Sequence, residues 1–367
     1  MSKSPLHQVS ELGQSVWIDS LSREMMDSGE LERLIEEDAV VGVTTNPSIF
    51  QKALDSDSYD DEMREVMDGE TDDKEVFFKL AVTDVKRACD ILRPVWDDGN
   101  GRDGWVSLEV DPNIASDTEA TARDAKRLSE MVDRPNVFIK IPATEPGLQA
   151  IEDSIAAGIP INVTLIFSLE RYRKVAEAYI KGLERLVEDG GDPSKLASVA
   201  SFFVSRVDTE ADKRLDDIGG HDELKGKLAI ANAKLAYQAY KEIFAGDRWQ
   251  KLADAGASAQ RCLWASTSTK NEDYRDVIYV EELIGRDTVN TMPAETIKAF
   301  QDHGKAEETI EKDVDEAKAL LDTLEEAGVD YDDVVKVLEE EGVQKFSDSF
   351  KELLDGVAEK RDALVAA

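Results

Sequence analysis

A lysine set in an apolar run carries the clearest chemical signal in this sequence. Lys140 stands among Phe138, Ile139, Ile141 and Pro142, where burial disfavours the ammonium and leaves a neutral, nucleophilic amine. Such an amine can add to a carbonyl carbon and form a Schiff base. Two acids hold comparable places in other apolar runs, Asp19 at the end of SVWID and Glu109 within WVSLEV. Beside that lysine they would offset the burial of its charge. They would also supply the proton transfers of carbinolamine formation, dehydration and carbon–carbon cleavage. Taken singly, each polar residue could equally be a strand end that points into a solvated loop, so the elements that carry them decide the matter.

Eight short β-branched or apolar runs alternate with helix-patterned stretches: SVWID (15–19), VVGVT (40–44), WVSLEV (105–110), NVFIKI (136–141), PINVTLI (160–166), SVASFFV (198–204), RCLWAS (261–266) and TVNTM (288–292). That order predicts an α/β fold, a closed parallel (β/α)8 TIM barrel. Successive side chains on a strand face opposite sides, so one parity meets the surrounding helices and the other points into the barrel. Val16 and Ile18 leave Trp17 and Asp19 opposite, and Val41 and Val43 leave Gly42, Thr44 and Asn46. Val106, Leu108 and Val110 leave Ser107 and Glu109; Val137, Ile139 and Ile141 leave Phe138 and Lys140; Ile161, Val163 and Leu165 leave Asn162 and Thr164. Five strands thus aim polar groups inward near their C-terminal ends, where enzymes of this architecture react.

The 367 residues read as one barrel domain, 1–367, with two additions. The stretch between the second and third strands is too long for one loop and helix, and its periodicity predicts a helical insertion over 51–104 that ends in the turn DDGNGRDG. Residues 297–367 are helix-patterned as well and form a C-terminal helical extension that caps the barrel or makes a dimer face. A homodimer and a monomer both fit this sequence.

Composition excludes several functions. Lys and Arg number 44 against 79 Asp and Glu, a formal charge of −35, which rules out a nucleic-acid binder working through a basic surface and disfavours an anionic membrane. The two cysteines, Cys89 and Cys262, lie far apart with no partner spacing, and no signal peptide or apolar run long enough to span a membrane is present, so a cytoplasmic protein is expected. The three histidines, His7, His221 and His303, are scattered. DSDSYDDEMREV matches a calcium loop in acid content only, with Asp60 and Val66 where Gly and Glu are required. No glycine-rich turn follows a strand in a nucleotide-binding pattern. Neither metal nor cofactor is expected.

The segments around the inward residues resemble the transaldolase family. VFIKIPATEPGLQAI (137–151) is similar to that family's Schiff-base lysine signature, and GVTTNPSIF (42–50) to its second signature. VSLEVDPNIASDTEAT, INVTLIFSLERY, SFFVSRVDT, ASTSTKN and TVNTMPAET follow in the family's order, and the likeness runs over 15–296 and on through GVQKFSDSFKELL. The added helices look like those of the longer transaldolases of some bacteria. The resemblance implies an enzyme of the non-oxidative pentose phosphate pathway that moves a dihydroxyacetone unit between sedoheptulose 7-phosphate or fructose 6-phosphate and glyceraldehyde 3-phosphate or erythrose 4-phosphate. It implies that Lys140 forms the imine, that Asp19 is the base at the hydroxyl where cleavage occurs, and that Glu109 moves protons through a water held with Thr164. Thr44, Asn46, Asn162 and Ser201 would bind hydroxyls of the retained three-carbon unit.

For the substrate phosphate the resemblance points to Arg206 and Lys270. Many transaldolases carry Arg where Lys270 falls, and a lysine supplies charge without the bidentate fork. Lys270 could instead be an exposed loop lysine, and Arg206 could pair with Asp208 or Glu210. A fructose 6-phosphate aldolase, which releases dihydroxyacetone to water, shares the architecture. So does a non-catalytic sugar-phosphate-binding barrel, although a sensor would have no chemical need for Asp19, Glu109 and Lys140 together.

Overall fold

The computed structural model describes residues 4–366. All eight expected runs form strands: β1 (Gln14–Ile18), β2 (Val40–Val43), β3 (Trp105–Glu109), β4 (Val137–Pro142), β5 (Ile161–Ile166), β6 (Ser198–Phe203), β7 (Arg261–Ala265) and β8 (Thr288–Met292). They pair in sequence order, every pair parallel, and β8 returns to β1 to close the barrel. A parallel connection cannot be a tight turn, so each return path carries helix that covers the outer face. The outward residues Val16, Val106, Ile139, Ile161 and Val163 are completely buried there.

Inside, the lower barrel is filled. The rings of Trp105 and Phe138 stack at 4.1 Å between centroids, and Trp17 stacks on Phe138 at 6.2 Å. Gly42 makes room for this layer, because a Cβ there would lie 2.5 Å from the Trp17 indole. Beneath it a polar plug closes the N-terminal end. Arg261 donates to Ser15 Oγ at 2.7 Å and pairs with Asp103 at 3.0 Å, and Asp103 also accepts from Ser15 at 2.8 Å and from the Trp17 indole at 3.3 Å. With the base sealed, the inward polar groups above it face the C-terminal mouth.

One strand departs from simple alternation. Leu165 adopts φ 61, and the register between β5 and β6 shifts between Val163 and Ile166. A bulge of this kind re-aims side chains and often sits beside a functional site. Leu165 therefore does not continue the outward row of Ile161 and Val163; it reaches the C-terminal helix, where a Cβ on Gly342 would come within 3.3 Å of it.

The stretch after β2 holds helices Pro47–Leu54, Asp60–Met67 and Asp73–Asp98. The last of these packs on β2, β3 and the helix Thr118–Val132, in the place of a connecting barrel helix. Its Asp84 accepts from Arg23 at 2.8 Å and from the Tyr59 hydroxyl at 2.5 Å, which ties the segment to the short helix Arg23–Asp27 that follows β1. Beyond β8 the chain forms helices Ala294–His303 and Val314–Glu326 and ends in the 36-residue helix Tyr331–Ala366. That helix buries Leu338, Gly342, Phe346, Phe350, Leu353 and Val357, a spacing of three and four that defines one face. The face lies on helices Pro47–Leu54, Asp73–Asp98 and Ser205–Ile218, so the helix crosses the barrel mouth. Lys360 fastens its far end through Leu54 O at 2.9 Å and Asp60 at 2.8 Å. No helix of the described residues is long and apolar enough to cross a membrane.

Candidate active site

Parallel pairing of β3 with β4 places Glu109 directly opposite Lys140. Lys140 Nζ donates to Thr45 O at 3.0 Å and to Glu109 Oε2 at 3.4 Å, and both side chains are buried. Burial pushes the Glu109 carboxyl up to about 7; Lys140 works against this rise, Asp19 adds to it, and Arg206 opposes it. A carboxyl at that value can both give and take a proton near neutrality.

Asp19 follows the last residue of β1. Thr44 Oγ1 donates to its Oδ1 at 2.6 Å, and Asn46 Nδ2 reaches Oδ2 at 3.5 Å. Thr44 has a single hydroxyl hydrogen, so in its 2.6 Å contact with Thr291 the latter must be the donor. A relay from Thr291 through Thr44 to Asp19 results. Asn46 also caps helix Pro47–Leu54, its Oδ1 accepting from Ile49 N–H at 3.1 Å, which fixes its rotamer. Burial raises the Asp19 pKa, the Thr44 hydrogen bond and Lys140 oppose the rise, and Glu295 adds to it.

A second ladder lies between β3, β5 and β6. Ser201 donates to Asn162 Oδ1 at 2.7 Å, and Asn162 Nδ2 donates to Ser107 Oγ at 3.1 Å. The Thr164 hydroxyl is buried and has no hydrogen-bond partner among the described residues.

These groups surround a cavity of about 240 Å³ at the C-terminal end of the barrel. Asp19, Thr44, Asn46, Lys140, Thr164, Ser201, Arg206 and Lys270 are all on its wall. Two expected site residues are not. Glu109 bonds Lys140 directly but borders a separate small space with Phe50, Phe77 and Phe350, and Asn162 sits below the wall in contact with Ser201.

Arg206 is free of the ion pairs that the sequence left open. Asp208 accepts from Ala229 N–H at 2.7 Å and Tyr279 OH at 2.8 Å, while Glu210 pairs with Arg214 at 2.9 Å. One terminal nitrogen of Arg206 is buried without a partner among the described residues, and its guanidinium lies 5.1 Å from the Phe203 ring and 6.0 Å from that of Phe346. Burial draws its pKa down, against the pull of Glu109 and Glu341. Lys270 is exposed and donates to Ser268 Oγ at 3.0 Å.

Among the wall residues that were not foreseen, four matter most: Thr291, Lys345, Phe346 and Ser349. The parity rule could not have found Thr291, because in TVNTM it shares its face with the apolar Val289 while Thr288 and Asn290 take the other; only pairing with Trp17 on β1 shows that it points inward. The other three come from the C-terminal helix, where the Phe346 ring lies 5.8 Å from Lys140 Nζ.

The arrangement offers a buried amine, an acid near neutrality, a second carboxylate on the wall, hydroxyl-binding groups between them and cations at one end. Comparison with known proteins agrees with that chemistry. The family model described as Transaldolase/Fructose-6-phosphate aldolase matches residues 16–357. The chain is 52% identical over 354 residues to the protein named Transaldolase 2 of Streptomyces coelicolor, with 95% of each chain covered. It is 52% identical over 356 residues to the transaldolase of Acidothermus cellulolyticus, covering 96% of each. Against the transaldolase of Mycobacterium bovis it is 52% identical over 354 residues, covering 95% of each.

Proposed function

This chain belongs to the transaldolase/fructose-6-phosphate aldolase family, and from that premise we propose that Lys140, Asp19 and Glu109 carry out its chemistry at the barrel mouth. Its activity is that of a transaldolase, and sugar phosphates are its substrates. The observation that carries the assignment is a buried lysine held 3.4 Å from Glu109, on the wall of a cavity that Asp19 shares.

The Lys140 amine adds to the carbonyl carbon of fructose 6-phosphate or sedoheptulose 7-phosphate. Glu109 delivers a proton to the departing hydroxyl through a water that the unpartnered Thr164 hydroxyl can hold, and the protonated imine forms. Asp19 then takes the proton from the hydroxyl on the carbon β to the imine carbon, so that the bond between the α and β carbons is the one that cleaves. The carbon–carbon bond breaks, its electron pair flows into the imine, and the aldose phosphate leaves. The dihydroxyacetone enamine stays on Lys140 until erythrose 4-phosphate or glyceraldehyde 3-phosphate accepts it by the reverse steps. Thr44, Asn46 and Ser201 bind hydroxyls of the retained unit, Asn162 orients Ser201, and Arg206 and Lys270 hold the phosphate.

Transfer is favoured over release of dihydroxyacetone to water because Phe346 lies across the mouth and limits access to the enamine. We read the chain as one barrel domain with a helical insertion over 51–104 and a C-terminal extension whose helix Tyr331–Ala366 covers that mouth. A cytoplasmic setting suits the two free, buried cysteines, Cys89 and Cys262.

Borohydride reduction in the presence of fructose 6-phosphate tests the assignment. A covalent adduct should appear on Lys140, and Lys140→Ala should abolish it. Labelling of another lysine in active protein would refute the mechanism.

A further inference from the structure

The helix Ser205–Ile218, whose second residue is Arg206, and the chain from Ser266 to Glu281, which carries Lys270, are joined at three levels. At the first, Ser205 N–H donates to Ser266 O at 3.0 Å and the two hydroxyls lie 2.9 Å apart. Ser266 is held there at φ 57, a conformation that a non-glycine residue keeps only when its surroundings enforce it. About one helical turn further on, Tyr279 OH donates to Asp208 Oδ2 at 2.8 Å. At the next turn Tyr274 OH donates to Asp212 Oδ2 at 2.5 Å. Asp208 and Asp212 are four residues apart and so share one helix face.

Both carboxylates are engaged on their other oxygen as well. Ala229 N–H donates to Asp208 Oδ1 at 2.7 Å, and Gly226 N–H donates to Asp212 Oδ1 at 2.9 Å. Each acid is thereby fixed from two sides, and a phenol hydroxyl bonded to it has one position. Asp208 and Tyr279 are almost completely buried, which strengthens a bond of this kind and makes its loss costly.

Arg206 lies between the first and second of these ties, and Lys270 lies on the chain between Ser266 and Tyr274. Both line the same cavity. Arg206 is packed between the Phe203 and Phe346 rings, but Lys270 is an exposed, flexible point charge whose useful position depends on where its backbone is held. We propose that the pairs Tyr279–Asp208 and Tyr274–Asp212 set the separation of Arg206 and Lys270, and thereby the preference of the enzyme for phosphorylated over unphosphorylated sugars. This rests on Arg206 and Lys270 being the phosphate site. The two tyrosines and two acids are positioning residues, since none of them lines the cavity.

Tyr274→Phe and Tyr279→Phe remove one hydroxyl each and keep the ring. The measurements are the inhibition constant of inorganic phosphate as a competitor, and kcat and KM with fructose 6-phosphate and with unphosphorylated fructose, using erythrose 4-phosphate as acceptor. Each variant should raise the phosphate inhibition constant and the fructose 6-phosphate KM by about five- to tenfold, with kcat changed less than about twofold and kcat/KM for fructose unaltered. Unchanged phosphate inhibition in both variants overturns the proposal, as does an equal loss on fructose and fructose 6-phosphate. Tyr274 is only partly buried, so Tyr274→Phe keeps the test decisive even where Tyr279→Phe fails to fold. Arg206→Ala and Lys270→Ala separate the two readings. If they leave phosphate inhibition unchanged, the phosphate site itself is wrong; if they weaken it while the tyrosine variants do not, only the positioning role falls.

Discussion

Glu109 and Lys140 face each other across the β3–β4 ladder, with 3.4 Å between Oε2 and Nζ. Their strand positions fix this relationship, because residues paired in register on one parity must sit side by side. The consequence is chemical. On the proposed mechanism, the acid beside Lys140 passes a proton through a water to the hydroxyl that departs once the amine has added.

Glu109→Gln keeps the shape and removes the transferable proton. Since burial holds the wild-type carboxyl at about 7, it carries a proton below that value and loses it above. Dehydration of the carbinolamine should therefore slow in the wild type as pH rises through about 7. In the variant the step should be flat across that range and slower by about 10²-fold or more. Rapid-quench borohydride trapping between pH 5 and 9 reads this directly, and an unaltered profile would remove Glu109 from the proton path.

Thr44→Val removes the donor that lies 2.6 Å from Asp19 Oδ1. That hydrogen bond favours the carboxylate, so its loss moves the Asp19 pKa further up. Asp19 must be ionised to act as base, and the acid side of the kcat profile should shift to higher pH. On the acid limb of the profile turnover should drop by about tenfold, the effect of one charge-assisted hydrogen bond, and recover toward wild type on the alkaline plateau. An equal loss on limb and plateau would mean that Thr44 only positions substrate.

Much of this site was legible because a strand has a side-chain period of two and the outer face of a barrel must be apolar. In NVFIKI the outward Val137, Ile139 and Ile141 leave Lys140 no direction but inward, and the same rule places Asp19, Thr44 and Thr164 on the cavity wall. Parity does not give depth, so it could not tell that Asn162 lies beneath the wall or that Glu109 stands off the cavity wall. Nor could it find the bulge at Leu165, where a residue type that disfavours positive φ adopts it under tertiary constraint. Helical spacing marked the C-terminal stretch as amphipathic. Such spacing shows which face is buried but not what it is buried against, so Phe346 over Lys140 emerged only from the three-dimensional packing.

Phe346→Ala tests what that cover does. The ring is 9% exposed and stands 5.8 Å from Lys140 Nζ and 6.0 Å from the Arg206 guanidinium. Removing it opens the enamine to water, and exclusion of water is what separates transfer from release. The ratio of free dihydroxyacetone to transferred product should rise by about tenfold, at a stability cost of about 3 kcal/mol for the lost packing. Both can be followed on one preparation by product assay and thermal melting. A destabilised variant with an unchanged product ratio would confine Phe346 to packing.

Asp208→Asn addresses the coupling of this fold to pH. Burial raises the Asp208 carboxyl from 3.8 to about 7, against donation from Ala229 N–H and the Tyr279 hydroxyl, with Asp212 adding to the rise. A raised carboxyl binds its proton more tightly in the folded chain than in the unfolded one. Its contribution to stability is thus complete below pH 3.8 and lost as pH climbs through about 7. For this group alone the loss is at most about 4 kcal/mol, and relaxation around the ionised acid reduces it. An asparagine can accept from Ala229 through Oδ1 and donate to the Tyr279 oxygen through its amide, so both neighbours remain bonded while the titration disappears. Relative to wild type, the melting temperature of Asp208→Asn should therefore be higher at pH 8 than at pH 5. A difference independent of pH would show that Asp208 remains ionised throughout, held by the two donors despite its burial.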